Sequence, residues 1–247
     1  MKGIIISIEG TDGAGKHTQQ QLLMESLQKK GYAVFNQSFP NYDSESSAPV
    51  KMYLSGEFGD SANCLDAYQA SVLFAVDRMC TYKKNIEEHY NNGEIILCDR
   101  YVQSNFIHQC SKIDDVDQKL DFIKWEEEFE YGTLGLPRPD LTFFIEMPIE
   151  KSLELAHARA DYKTGKQKDI HEEDSLYMKK SYDNGLTLAK QLGWSLIHCV
   201  DKNNNLKTID EIHQEIMSET EKFLSKKNSA IDINWFCDYN LYTLLKR

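Results

Sequence analysis

Ile4-Ile5-Ile6-Ser7-Ile8-Glu9-Gly10-Thr11-Asp12-Gly13-Ala14-Gly15-Lys16-His17-Thr18 decides how this chain is built. A short, almost unbroken β-branched run passes into a glycine-rich turn, and a helix-like stretch, Lys16–Lys30, follows at once. Consecutive apolar positions over so few residues fit a strand buried on both faces, as in parallel sheets. Gly13 and Gly15 allow the backbone to turn tightly, so that successive N–H groups converge on one anion. The helix N-terminus adds partial positive charge and Lys16 a full one. The stretch Gly10, Thr11, Asp12, Gly13, Ala14, Gly15, Lys16, His17 and Thr18 is therefore a candidate phosphate cradle, set after a strand and opening a helix as GxxxxGK[ST] requires.

Further along, short apolar runs recur at Ala33–Phe35, Ile95–Cys98, Leu141–Ile145 and Leu196–Val200. Helix-like stretches lie between and after them: Leu65–Tyr90, Asp117–Phe129, Ile149–Ala160, Glu173–Leu192 and Thr208–Leu224. Gly31, Gly93 and Gly193 each stop a helix just before a strand. This alternation predicts an α/β fold, a parallel five-stranded sheet flanked by helices on both sides. We expect one domain over residues 1–225 and an aromatic tail over 226–247 that carries Trp235, Phe236, Tyr239 and Tyr242.

Composition narrows the function classes. The 247 residues are 41% hydrophobic and 27% charged, which is globular. Lys and Arg number 28 against 39 Asp and Glu, a net charge of −11, which argues against general nucleic-acid binding. Positive charge for an anionic ligand must be gathered locally. The six cysteines form no CxxC pair, and no apolar stretch approaches the roughly 18 residues of a membrane span. A cytoplasmic protein with reduced thiols is expected.

Two further signals concern phosphate. In Ile95-Ile96-Leu97-Cys98-Asp99-Arg100-Tyr101, an apolar strand ends in a carboxylate that resembles a Walker-B element near Mg2+, and Arg100 follows it toward the same sheet edge. His17 stands where the motif has a hydroxyl that helps hold the metal, so Asp99 and Thr18, with water, are the candidate Mg2+ ligands. Arginine is scarce, only Arg78, Arg100, Arg138, Arg159 and Arg247, and three of these lie beside motifs. Its planar fork grips phosphate at two points, as lysine does not. Arg159 opens a basic, polar segment, Asp161–Ile170, whose Lys163, Lys166 and Lys168 suit a short lid, although an ordinary solvated loop has the same composition. An NKxD guanine-reading motif is absent, against a regulatory GTPase.

The cradle EGTDGAGK, Phe39-Pro40-Asn41-Tyr42, Leu73-Phe74-Ala75-Val76-Asp77-Arg78, Asp99-Arg100-Tyr101 with Ser104 and Asn105, and the basic segment together resemble the thymidylate kinase family in order and spacing over roughly residues 3 to 224. The resemblance implies a P-loop kinase fold, transfer of the γ-phosphoryl group of ATP to dTMP with Mg2+, and a homodimer built through the long helices. It implies catalytic roles for Lys16, Asp99, Arg100 and Arg159, with Arg159 and the lid lysines on the ATP side. On the dTMP side it implies Asp12 beside the sugar, Phe74 stacked on the base, and Arg78 and Asn105 at the base edge. Arg100 and Tyr42 would hold the acceptor phosphate, Phe39 and Pro40 shape the pocket beside Ser104 and His108, and Asp169 and Glu172 lie near the sugar. Some members carry Arg after the P-loop Asp; with Gly13 there, this chain resembles those that keep their cations in the lid. Asn41 stands where an arginine is common and His108 where an aromatic often sits. Taken singly, Phe74 equally fits a helix core, His108 and His171 surface or cap positions, and Asp169 and Glu172 the acidic first turn of a helix. Two rival functions remain: a kinase for another nucleoside monophosphate or deoxynucleoside, and a nucleotide-binding regulator without turnover.

Overall fold

The computed structural model describes residues 2–152 and 170–229. Five strands form a single sheet: β1 (Ile4–Glu9), β2 (Val34–Ser38), β3 (Ile95–Asp99), β4 (Leu141–Glu146) and β5 (Ser195–His198). Their order is β2-β3-β1-β4-β5 and every pairing is parallel. The connections are helical: α1 (Lys16–Lys29), α2 (Ala48–Leu54), α3 (Ala67–Thr81), α4 (Glu87–Asn91), α5 (Gln103–His108), α6 (Val116–Glu127), α7 (Ile170–Glu173), α8 (Ser175–Gln191) and α9 (Ile209–Ser229). Among the described residues no helix is long and apolar enough to cross a membrane.

The sheet is apolar on both faces because both are covered. Ile6, Ile8, Leu97, Phe143 and Ile197 pack beneath α1 and α9 against Leu23, Leu27, Ile212 and Ile216. On the opposite face Ile5, Ile96 and Cys98 meet Tyr101, in the turn after β3, and Phe106, Phe122, Ile123 and Leu188 of the other helices. The alternation along β1, Ile5 to one side and Ile6 and Ile8 to the other, is the period-two geometry of a strand inside an uninterrupted apolar run. The central part of α8 approaches β4 so closely that a Cβ at Gly185 would lie 2.6 Å from the Phe144 ring.

Several expected elements change shape. The Leu65–Tyr90 stretch is not one α-helix: α3 widens into a π-turn at Tyr82–Ile86 before α4. The helix expected over Asp117–Phe129 likewise ends in a π-turn, Glu128–Thr133. The helix expected over Glu173–Leu192 is interrupted at Asp174, whose carboxylate accepts the Tyr177 N–H at 2.9 Å and starts α8 afresh. The last helix reaches Ser229, five residues past its expected end at Leu224. Of the Ile149–Ala160 helix only 149–152 fall within the described residues. Arg159, Lys163, Lys166, Lys168 and Asp169 lie outside them, as do Cys237 and the tail aromatics.

Candidate active site

The sheet order places the site. β1 and β3 are neighbours, Ile8 pairs with Asp99, and the chain leaves their carboxyl ends in opposite directions. Open α/β sheets bind ligands in the crevice that opens at such a point. The loop after β1 and the Asp99–Arg100 turn after β3 are thereby set side by side.

The loop is a preformed anion cradle. Gly15 is the N-cap of α1 at φ 83°, with no side-chain cap on the first-turn N–H groups. A Cβ at Gly15 would meet nothing within 4 Å, so the left-handed backbone, not crowding, requires glycine there. Gly13, at φ 80°, is pressed against Ser152, whose Oγ a Cβ would approach to 2.7 Å. The Ser152 hydroxyl donates to the Asp12 carbonyl and so clamps the loop from beyond β4. Lys16 is buried and folds back so that Nζ donates to the Thr11 carbonyl at 2.9 Å. Burial and the Arg100 charge outweigh the nearby carboxylates and pull the Lys16 ammonium down to about 8.

Arg100 occupies the left-handed region at φ 67°, an uncommon conformation for a side-chain-bearing residue. Its side chain reaches the loop: Nη2 donates to Asp12 Oδ1 at 2.5 Å and Nη1 to the Gly10 carbonyl at 3.2 Å. Nη1 also lies 2.9 Å from His108 Nε2 and 3.4 Å from Ser104 Oγ. A guanidinium only donates, so His108 Nε2 accepts and its proton sits on Nδ1. Burial, reinforced by Arg100, holds His108 neutral, well below the usual histidine range. Burial opposes the charge on Asp12, yet Arg100 and Lys16 prevail and hold its carboxyl below the usual carboxylate range.

One cleft opens from this pair. It is lined by Asp12, Phe39, Pro40, Tyr42, Phe74, Arg78, Arg100, Ser104, Asn105 and His108. Every acceptor-side candidate whose side chain is described is thus in one place. Of the other two, Asp169 lies outside the described residues, and for Glu172 only the backbone, in α7, is described. Four lining residues were not anticipated as site residues: Leu54, Asp77, Gln109 and His171. Asp77 accepts the Asn41 N–H at 2.8 Å and the Ser46 hydroxyl at 2.6 Å, so it ties the segment carrying Phe39, Pro40 and Tyr42 to α3. Asn41 itself turns to Thr81 and does not line the cleft.

Glu9 was also missed. It is fully buried at the end of β1 and accepts the Tyr101 N–H at 2.8 Å and the Ser104 hydroxyl at 2.6 Å, locking the cradle strand to the turn after β3. Burial raises its carboxyl above the usual range against the pull of Ser104 and Arg100. Its only sequence signal was a charge at the end of an apolar strand.

The donor set suits a metal shared with phosphate. Asp99 Oδ1 is buried without a hydrogen-bond partner, and Oδ2 lies 3.9 Å from Nδ1 of the exposed His17. Thr11 Oγ1 is likewise buried and unpartnered. Among the described residues no cluster of three or more His, Cys, Asp or Glu could hold a metal alone. One carboxylate facing a phosphate cradle fits Mg2+, which keeps most of its water and takes its remaining ligands from phosphates.

A parallel sheet of this order, with a glycine-rich cradle after its central strand and a cleft joined to it through Arg100, defines a kinase of the P-loop class. Residues 8–216 match the family model described as Thymidylate kinase, and the chain belongs to that family. It is 30% identical over 192 residues to a thymidylate kinase of Mycobacterium tuberculosis, covering 77% of this chain and 87% of that one. A probable thymidylate kinase of Pyrococcus horikoshii is 28% identical over 220 residues, covering 88% of this chain and 96% of its own. One of Thermococcus onnurineus is 28% identical over 226 residues, 91% of this chain and 100% of its own.

Proposed function

We propose that the protein transfers the γ-phosphoryl group of ATP to dTMP, giving dTDP and ADP. The observation that carries this is the junction of the two anion sites at Arg100, which touches the cradle through Asp12 and Gly10 while lining the acceptor cleft.

In this mechanism the first-turn N–H groups of α1 and Lys16 hold the β- and γ-phosphates, with Arg159, Lys163, Lys166 and Lys168 as further cations on the ATP side. Arg100 and Tyr42 hold the acceptor phosphate so that its oxygen lines up with the γ-phosphorus. Phe74 stacks on the base, walled by Phe39 and Pro40, and Asp12 lies beside the sugar with Asp169 and Glu172. Asp99 and Thr18 would hold Mg2+, which would supply positive charge beside the phosphates being transferred. No covalent intermediate is needed: positioning and preorganised charge carry the rate enhancement.

The proposal includes a homodimer. Tyr68, Val72 and Val76 recur every four residues on α3 and are each more than one-third exposed, an apolar stripe suited to a partner helix. It also includes a cytoplasmic location, which the five free cysteines among the described residues suit. The test is ADP release across a panel of nucleoside monophosphates and deoxynucleosides, with and without Mg2+. Turnover should be fastest with dTMP and Mg2+-dependent. ATP binding without acceptor-dependent ADP would overturn it.

A further inference from the structure

The residue after the cradle lysine departs from the motif: His17 stands where a hydroxyl helps hold the metal. It lies in the first turn of α1 and its side chain is 70% exposed, yet the imidazole faces the end of β3. Its Nδ1 lies 3.9 Å from Asp99 Oδ2. The Asp99 side chain is only 14% exposed, and its second oxygen, Oδ1, is buried with no hydrogen-bond partner. The Asp99 charge acts on Lys16 and Arg100 alike, so the carboxylate lies close to both cations.

The 3.9 Å contact is too long for a hydrogen bond, so neither group spends a donor or an acceptor on the other. It does suit two ligands of one ion, because metal–nitrogen and metal–oxygen bonds are each about 2.0 to 2.2 Å long. Two protein ligands are few, and among the described residues no group of three or more His, Cys, Asp or Glu could hold a metal. The remaining places belong to nucleotide phosphates and water, as they do for an ion shared with a phosphate cradle. The nitrogen is what sets this donor set apart. Mg2+ prefers oxygen throughout, whereas imidazole suits transition ions such as Co2+, Ni2+ and Zn2+.

We infer that His17 supplies an imidazole nitrogen to the divalent ion at the nucleotide phosphates, and that the site thereby favours transition ions such as Co2+ over Mg2+. A hydroxyl at the same position would give no such preference. This rests on the cradle holding the phosphates of a nucleotide. The imidazole places its Nδ1 one atom further from the backbone than a serine or threonine oxygen, which lets α1 reach toward Asp99. Its exposure leaves the ring free to turn when an ion arrives, with little packing to lose. Asp99 then supplies charge, which any divalent ion uses, and His17 supplies the preference. Nitrogen adds most for ions high in the order of affinity that rises from Mn2+ to Cu2+, and little for Mg2+.

The experiment loads the full chain with ADP and Co2+ and compares the wild type with His17→Ser, which restores the hydroxyl, and His17→Ala, which removes both donors. Both positions are exposed and helical, so the fold should survive either change. Proton NMR of the wild-type complex should show an exchangeable imidazole N–H shifted far downfield by the paramagnetic ion, and both variants should lack it. Visible absorption gives the Co2+ affinity and competition gives that of Mg2+. The Co2+-over-Mg2+ ratio should fall at least about tenfold in both variants, the scale on which even outer partners of metal ligands act. A Co2+·ADP complex of the wild type without that signal, a signal that persists in His17→Ala, or a ratio unchanged by both substitutions overturns the inference and leaves the proposed function standing. A wild type that binds ADP with neither ion overturns the cradle, and the proposed function with it.

Discussion

Arg100 Nη2 stands 2.5 Å from Asp12 Oδ1, so the turn after β3 is ion-paired to the loop after β1. The guanidinium is anchored on one side by Asp12, Gly10 and His108, leaving Nε without a protein partner among the described residues. An anchored, permanently charged fork lining the cleft suits the phosphate-holding role proposed for it, with little ordering left to do when a ligand arrives. Arg100→Ala should therefore lower kcat/KM for dTMP by about 100- to 1000-fold, as loss of one preorganised charge does elsewhere. Lys16→Ala should do the same for ATP. Circular dichroism should show both variants folded, and Arg100→Lys should not rescue, because an ammonium cannot make the planar contacts. Near-normal turnover in both alanine variants would defeat the assignment.

The depressed Lys16 gives a pH dependence of known sign. The free protein loses this cation as pH rises through about 8. Bound phosphates hold the proton on, so the loss appears in kcat/KM for ATP and not in kcat. Initial rates between pH 7 and 9.5 should show kcat/KM for ATP falling toward about tenfold per pH unit above 8, with kcat flat over the same range. A flat kcat/KM profile would mean that Lys16 is not the cation that captures ATP.

His171 and His108 predict how the fold responds to acid. Burial lowers His171 to about 3, and it places His108 well below its usual 6.5. Both are neutral in the folded protein and take up protons near 6.5 when unfolded, so the unfolded state binds more protons below that pH. Their contribution is present above pH 6.5 and is lost as pH falls below it. Melting temperature should be level from pH 7 to 8 and decline from 6.5 to 5. His171 Nε2 lies 2.9 Å from the Tyr53 hydroxyl, a contact that glutamine can keep. His171→Gln should flatten part of the decline, and an unchanged slope would contradict its buried, neutral state.

The parts of this architecture that are legible in the chain are those where pattern and position coincide. All five strands follow from apolar runs, but β1, β3 and β4 each extend one residue further, to Glu9, Asp99 and Glu146, β2 runs three residues past Phe35 to Ser38, and β5 ends at His198, two residues short of Val200. Hydrophobic periodicity stops at a carboxylate, whereas the sheet does not, and those carboxylates stand at the edge where the chemistry is proposed. The helices α2 and α5, seven and six residues long, are too short for a 3.6-residue period to register, though α5 carries Asn105 and His108. In the sequence, Glu126 and Glu130 look like ordinary charges in and just beyond a helix. Four residues apart, they lie on the face turned to Arg78 and Asn105, and no single-sequence signal marks a buried carboxylate whose partner is 52 residues away. The cradle is legible because two glycines and a lysine at that spacing, between a strand and a helix, suit little besides an anion.

Gly185 sets two opposing effects against one another. It sits in the middle of α8, where alanine normally stabilises by about 1 kcal/mol through helix propensity. Yet a Cβ there would lie 2.6 Å and 2.8 Å from two atoms of the Phe144 ring and 3.3 Å from Ile107 Cγ2. Phe144 and Ile107 are both fully buried, so neither can swing into solvent to relieve the clash. Overpacking of this kind costs about 1 to 3 kcal/mol, enough to cancel or exceed the propensity gain. Gly185→Ala should leave the melting temperature unchanged at best and lower it by up to about 8 °C, at about 2 to 4 °C per kcal/mol for a chain of this size. Thr187, on the same helix but exposed, serves as the control: alanine there should be within about 0.5 kcal/mol of wild type. A Gly185→Ala protein that melts clearly above the wild type would show that α8 does not approach β4 as closely as the Phe144 contact requires.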